Sequence, residues 1–460
     1  MALNRTGIGG CFTKIFKKTC FFRLSQIRHL KIFKKTSRFS SSNLGAKLLK
    51  LLQIHAQKGF FLNELALRTQ CILQSQVMST VKAGSKPPDY ESLHKIRNMK
   101  IMHIVGNRPQ FIKLAMLCRE MKRLDMPHII LHTGQHFDRN MSDIFFEQLQ
   151  IPKPNYDLGI NHLSHNAMIG SMLTKIDQIM ALESPEMVVV YGDTNSTLAG
   201  ALAAKKRNIH LAHIEAGVRT GDDEMPEEAN RYLSDRMADL NFCCTDLTIQ
   251  NLLKEGYSSA LIGRKIFNSG DLMLDATQNY KDLAIQKSTI LNDLGISEGF
   301  ILATIHRAEN TSNTEALFQI VTALNKIHEQ SPVLFPMHPK TKKLITQHKI
   351  PMKFQVMEAL GYLDMLSLTQ RARMVITDSG GLCREAYFLQ KPTLVIMRSP
   401  FWPEVFLNGP CLQTAAIESE ILQKSQDLQH LQRIFKSDIF GDGHAAQKIS
   451  VAIQNFQKAG

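Results

Sequence analysis

Three carboxylates and a histidine–arginine pair are the residues of this chain best suited to chemistry. Glu215 lies in His213-Ile-Glu-Ala-Gly-Val-Arg-Thr220, Glu227 in Met225-Pro-Glu-Glu-Ala-Asn-Arg231 and Asp193 in Tyr191-Gly-Asp-Thr-Asn-Ser-Thr197. His306 and Arg307 follow in Ala303-Thr-Ile-His-Arg-Ala-Glu309. Carboxylates gathered at one pocket can take a proton from a carbon beside a leaving group and return it, with an imidazole as a further proton carrier. Asp193 and Glu215 could instead cap the helices that follow them.

A second group of residues suits an anion. Gly106-Asn-Arg-Pro-Gln110 follows the first apolar run, with Pro109 fitted to a first helical turn, so Arg108 stands where a phosphate or carboxylate binds well. A plain turn with a solvated arginine accounts for the same residues. Asp378-Ser-Gly-Gly-Leu-Cys-Arg-Glu385 runs from a strand into a helix, so the amides of Ser379, Gly380 and Gly381 would face a diphosphate, with Glu385 one turn on to accept from a ribose. The competing explanation is a tight turn that needs glycine only for its backbone angles. His306 and His338, the latter in Phe335-Pro-Met-His-Pro-Lys340, close two strands and would face the acids across a cleft.

Other ligands fit poorly. The chain has no Gly-x-x-x-x-Gly-Lys-Ser/Thr, and Gly441-Asp-Gly-His-Ala-Ala446 imitates a dinucleotide fingerprint with too little chain after it for a β-α-β unit. No metal is expected. Neither His306 nor His338 has a ligand partner at short spacing, and His128, His132 and His136 would be spread about 13 Å apart at each step along a strand. Eight cysteines without Cys-x-x-Cys argue against a zinc site or a disulfide framework, and for a reduced compartment.

The elements that must position these residues alternate strand, turn and helix from residue 100 onward. Continuous apolar runs predict strands at 100–105, 128–132, 187–191, 210–214 and 241–244, then 300–304, 333–336, 374–377 and 393–397. Such runs belong to parallel sheets covered on both faces. The stretch from Tyr257 to Gly299 lacks this rhythm and contains Asn268-Ser-Gly-Asp271, which places a boundary near residue 268. The expectation is an α/β fold of two doubly wound domains, 99–267 and 268–440, with ligands in the cleft at the carboxyl ends of the strands. Residues 441–460 read as a closing helix.

Charge divides the chain in two. The whole carries a net +14, but residues 1–98 hold 18 Lys and Arg against 3 Asp and Glu, leaving 37 basic and 38 acidic residues beyond them. The body is therefore near neutral and gives no reason to expect nucleic acid. The extension 1–98 is read as a dispensable leader or misassigned start, because Met99 opens directly on a buried strand. Its acid-poor, Arg- and Ser-containing composition also suits a transit peptide, residues 44–52 could form a basic amphipathic helix, and a genuine binding arm is the third reading. No apolar run is long enough to span a bilayer, so no stable membrane insertion is expected.

With these motifs in order, residues 99–460 resemble the non-hydrolysing UDP-N-acetylglucosamine 2-epimerase family. Its G-T/N-R-P-x-x-I-K opening resembles Gly106 to Lys113, and its T-G-Q-H element resembles Thr133-Gly-Gln-His136. Its G-D-T, H-x-E-A-G-x-R, P-E-E-x-N-R, H-R-x-E and D-S-G-G-x-x-x-E elements resemble the stretches quoted above. The resemblance implies a glycosyltransferase-B type fold of two Rossmann-like domains. It also implies reversible conversion of UDP-GlcNAc to UDP-ManNAc by elimination and re-addition of UDP, supplying an activated sugar for surface polysaccharide. It makes Asp193, Glu215, Glu227 and His306 the catalytic candidates, and Arg108, Lys113, Gln135, His338, Ser379, Gly380, Gly381 and Glu385 the substrate contacts. It implies no cofactor, a UDP-sugar as partner, a homodimer and a cytoplasmic location. Three elements depart from the family pattern: Gly270-Asp-Leu272, Pro400-Phe-Trp-Pro-Glu404 and Met365. The competing readings are a hydrolysing epimerase, an enzyme for another UDP-N-acetyl sugar such as a diacetamido uronic acid, and a non-catalytic protein that works through its basic arm.

Overall fold

The computed structural model describes residues 99–136, 142–257, 265–431 and 435–459. The expectations for the extension 1–98, including its amphipathic helix, lie outside the described residues. The first half runs β1 (Ile101–Val105), α1 (Arg108–Arg123), β2 (His128–His132), α2 (Asp143–Gln148), β3 (Tyr156–Asp157), α3 (His165–Glu183) and β4 (Met187–Tyr191). It continues with α4 (Asn195–Lys206), β5 (His210–Ala216), α5 (Pro226–Met237), β6 (Leu240–Cys243), α6 (Asp246–Lys254) and β7 (Lys265–Asn268). The second half runs α7 (Leu272–Lys287), α8 (Ile290–Leu294), β8 (Ile301–Thr304), α9 (Ala308–Thr311), α10 (Thr314–His328), β9 (Val333–Pro336), α11 (Pro339–Gln347) and β10 (Gln355–Met357). It closes with α12 (Tyr362–Arg371), β11 (Met374–Thr377), α13 (Gly380–Phe388), β12 (Thr393–Ile396), α14 (Pro403–Asn408), β13 (Cys411–Thr414), α15 (Glu418–His430) and α16 (Ala445–Ala459).

Each half builds one wholly parallel sheet. The strand orders are β3-β2-β1-β4-β5-β6-β7 and β10-β9-β8-β11-β12-β13. The interior strands β1, β4, β8, β9, β11 and β12 are buried along almost their whole length, as expected for apolar runs covered by helices on both faces. In each sheet the chain first builds outward on one side and then returns to build on the other. The reversal falls between β1 and β4 in the first sheet and between β8 and β11 in the second. At such a reversal the loops leaving two neighbouring strands diverge and open a crevice. Arg108 and Asp193 leave β1 and β4, while His306 and Ser379 leave β8 and β11, so the topology alone puts them at the two crevices.

Two sequence expectations need correction. The stretch from Tyr257 to Gly299 does contain a strand, β7, and the short strands β3, β10 and β13 were also absent from the sequence reading. These four are the edges of the two sheets. An edge strand is covered by fewer neighbours and lacks the continuous apolar run that marks a central one. β7, for example, reads Lys-Ile-Phe-Asn with both ends exposed.

The closing helix leaves the second sheet and docks on the first. Ala445, Ala446, Ile449 and Ile453 of α16 share a core with Leu114 of α1 and Met273 and Ala276 of α7. The Asp275 carboxylate caps it, accepting from the amides of Ala445 and Ala446 at 3.0 and 2.8 Å. The return requires two glycines in close contact: Gly270 (φ +78°) and Gly441 (φ +95°). A Cβ on Gly441 would lie 2.8 Å from the Gly270 Cα. Gly441→Ala therefore combines a left-handed backbone with a collision against main chain, and it should cost more than about 1 kcal/mol. The check is a lowered urea midpoint with an unchanged slope.

Candidate active site

The floor of the first crevice is a buried ion-pair cluster. Lys113, on α1, places its Nζ 2.5 Å from Glu215, which sits in the last residues of β5. Arg384, from α13 of the second sheet, reaches the same carboxylate at 2.9 Å and Asp271 at 2.6 Å. Burial alone would push the Glu215 carboxyl up. Arg384 and then Lys113 overcome it and hold the group ionised, at about 2. Glu215, Cys244 and Asp271 bring three potential ligand atoms together, but both carboxylates already face the Arg384 guanidinium, and burial pushes the Cys244 thiol well up. A divalent cation there would have to displace an arginine.

Asp193 is presented differently. Its carboxylate pairs with Arg231 and its carbonyl accepts from the Asn230 side chain at 2.8 Å. Arg231 in turn pairs with Glu228, which also accepts from the Thr220 amide at 3.0 Å. Glu227, one residue earlier in the first turn of α5, is half-buried and has no hydrogen bond or ion pair among the described residues. Among the described residues it is the one of the three acids whose carboxylate has no partner. The idea that Asp193 and Glu215 serve as helix caps does not fit, because Thr194 caps α4 and α5 starts at Met225 without a side-chain cap.

Cations and amides face these acids from the other sheet. His306 leaves β8, and its Nδ1 lies 3.1 Å from Asp378, a buried carboxylate that also accepts from the amides of His306 and Arg307 and from Asn310. Burial opposes the charge on Asp378, yet His306 and these donors keep its carboxyl below the usual range. An Nδ1 that donates to Asp378 leaves Nε2 as the polar atom of His306 available to a ligand. The His338 ring stacks on it at 6.1 Å. His136, beside them, is pushed down to about 3 by burial and then by Arg108, His338, His132 and His306. Its Nδ1 accepts from the Arg108 amide at 3.3 Å, as a neutral ring can. Gln135, next to His136, accepts from the Ser196 hydroxyl at 3.0 Å. So many cationic and imidazole groups in one place favour an anionic ligand.

The turn after β11 refines one sequence expectation. Ser379 spends its amide on the Thr377 hydroxyl at 3.0 Å, and its own hydroxyl accepts from the Leu382 amide at 3.3 Å. The amides open at the start of α13 are therefore those of Gly380 and Gly381, not that of Ser379. Glycine at 380 answers to space rather than backbone angle, since a Cβ would lie 2.8 Å from the Phe401 ring. Phe401 itself is stacked between Arg231 of the first sheet and Arg307 of the second, each at 4.7 Å.

Glu385 is buried beside the Tyr362 hydroxyl, and neither that hydroxyl nor the Glu385 Oε1 completes a hydrogen bond of full geometry among the described residues. Burial pushes its carboxyl up to about 7, against the pull of Arg108. A raised carboxyl binds its proton more tightly in the folded state, so its contribution favours folding at low pH. That contribution is lost as pH rises from the ordinary carboxylate range to about 7. Urea denaturation at pH 5 and pH 8 should show the parent losing stability relative to Glu385→Gln over this interval, and parallel behaviour of the two proteins would contradict the assignment.

Sequence reasoning left Arg384, Asp378, Arg231 and Asp271 without roles. Arg384 and Asp378 were visible inside the Asp378 to Glu385 motif, and Arg231 stands one helical turn after Glu227. Nothing local signals Asp271 as a partner of Arg384, because the pair is 113 residues apart.

Comparison with known proteins agrees with this geometry. The family described as UDP-N-acetylglucosamine 2-epimerase matches residues 119–454. The chain is 43% identical to the UDP-2,3-diacetamido-2,3-dideoxy-D-glucuronate 2-epimerase of Pseudomonas aeruginosa, over 76% of this chain and 98% of that protein. It is 36% identical to the UDP-N-acetylglucosamine 2-epimerase of Methanocaldococcus jannaschii, over 76% of this chain and 98% of that protein. The crystal structure of the M. jannaschii UDP-GlcNAc 2-epimerase in complex with UDP-GlcNAc and UDP superposes with a TM-score of 0.73, covering 78% of this chain and all of that one at 34% identity. Two wholly parallel sheets with helices between their strands are the two-domain, Rossmann-like architecture of these structures. By sequence, fold and the placement of its motifs, the chain belongs to the UDP-N-acetylglucosamine 2-epimerase family.

Proposed function

We propose that this protein interconverts UDP-GlcNAc and UDP-ManNAc at C2 without net hydrolysis. The observation that carries the reading is the placement of proton carriers and anion-binding groups around the cleft. Asp193 and Glu227 stand on the first sheet's side, and the Gly380 and Gly381 amides, His306, His338 and the buried Glu385 oxygen on the second's. Glu385 accepts from the ribose, while the amides and imidazoles receive the diphosphate.

Chemistry follows from that placement. A carboxylate removes the C2 proton as the C1–O bond breaks, its electron pair leaving with UDP and a C1=C2 double bond forming. UDP then adds back at C1 while an acid on the opposite face returns a proton to C2. Two proton carriers on different elements are needed because the two faces of the ring are too far apart for one. Glu227 and Asp193 take these parts. Glu215, held ionised by Lys113 and Arg384, supplies fixed negative charge beside them, and His306 stabilises the departing diphosphate.

A second reading keeps the mechanism and changes the sugar. The 43% identity to the P. aeruginosa enzyme supports UDP-2,3-diacetamido-2,3-dideoxy-D-glucuronate as the substrate. Incubation with each UDP-sugar in heavy water, followed by NMR of the anomeric region, separates the outcomes. The proposal expects a UDP-linked C2 epimer carrying deuterium at C2. Free ManNAc plus UDP would make the enzyme hydrolysing, and retention of the original C2 hydrogen would overturn elimination. A homodimer belongs to the same reading and is checked by light scattering.

A further inference from the structure

His213, on β5, is fully buried, and each of its ring nitrogens lies 2.7 Å from an acceptor: Nδ1 from Asp235 and Nε2 from the Gly192 carbonyl. The ring is tied at both nitrogens, to a carboxylate at one end and to a main-chain carbonyl at the other. Asp235, equally buried on α5, turns its other oxygen to the Gly217 amide at 3.1 Å and to Arg219 at 2.8 Å. The pair is thus bonded to the residue before Asp193 and to the residue two after Glu215. It is also anchored in the helix whose first turn carries Glu227.

What the pair holds is strained. Glu215 has φ +71°, a left-handed backbone uncommon for a residue with a side chain, and the pairing of β5 with β6 slips at that point, between Ile214 and Ala216. Gly192 (φ +61°) makes a second left-handed turn, and its amide donates to the Ile214 carbonyl at 2.9 Å. Conformations of this kind persist only where the surroundings over-determine them. Lys113 and Arg384 hold the Glu215 side chain, while the main chain on either side of the two turns is tied to one buried imidazole and one buried carboxylate.

We propose that His213 and Asp235 are positioning residues for proton transfer, setting the two left-handed turns that aim Asp193 at the substrate and hold the Glu215 charge beside it, and anchoring the helix that carries Glu227. The inference rests on the epimerase reading above. The test uses the full-length protein, with His213→Gln and Asp235→Asn assayed beside the parent on both UDP-sugars named above. Each variant should lose about 10²-fold in kcat, the scale expected from a misplacement near 1 Å, while KM and the UDP dissociation constant stay close to the parent values. More turnovers should also release the unsaturated sugar and UDP in place of the epimer, because a displaced second acid delays the return of the proton.

A purely structural pair would lower kcat only in proportion to the folded fraction and leave that partition unchanged, which would overturn the proposal. A parent inactive on both sugars would instead sink the epimerase reading. If Asp235→Asn does not fold, His213→Gln decides, since it leaves Asp235 bonded to Arg219 and Gly217. Failure of both to fold would make the pair a folding element and also overturn the proposal.

Discussion

Glu227→Gln is expected to lower turnover of the UDP-sugar by roughly 10²–10⁴-fold, the range for loss of a general acid or base, with UDP affinity mostly retained. The substitution keeps the shape of the side chain and removes only its ability to carry a proton. Glu227 has no hydrogen bond or ion pair among the described residues, so no folded-state contact is lost and the effect belongs to chemistry. Glu215→Gln makes a useful contrast, because it takes negative charge from beside Lys113 and Arg384 and should disturb stability together with activity. Steady-state kinetics with UDP binding by calorimetry separate the two. Near-normal kcat in Glu227→Gln would remove this acid from the mechanism.

Arg384→Met is expected to produce the largest loss of stability of any single change in the cleft, about 3–5 kcal/mol. That is the range for leaving a buried charge without its partner. Arg384 is 3% exposed, it bonds both Glu215 and Asp271, and its guanidinium lies 4.1 Å over the Trp402 ring. Methionine fills similar volume but leaves Asp271 with no charge partner, while Glu215 keeps only Lys113. Arg384→Lys restores the charge without the planar group that serves both acids and the indole, so it should recover part of the loss. Urea denaturation of the three proteins measures this. A loss below about 1 kcal/mol in Arg384→Met would mean that the cluster relaxes or hydrates when opened, and that its contribution is no larger than that of a surface pair.

The amino-acid sequence by itself determined the class of the fold and where its interior strands lie. A central strand of a parallel sheet is buried on both faces, so its apolar run is continuous and can be read locally, as in Met187–Tyr191 or Met374–Thr377. The same locality made the motifs legible, since Arg108, Asp193, His306 and Ser379 each follow such a run and must stand at a strand exit. The edge strands Tyr156–Asp157, Lys265–Asn268, Gln355–Met357 and Cys411–Thr414 were decided by the tertiary structure, because their pairing depends on neighbours already in place. So was the division of labour among the acids. Asp193, Glu215 and Glu227 look alike as carboxylates in motifs. What distinguishes them is that Arg384 arrives at Glu215 from 169 residues away, that Arg231 meets Asp193 and that nothing meets Glu227 among the described residues. Electrostatic environment is a property of distance in space and of burial, and neither is written in the spacing of a motif.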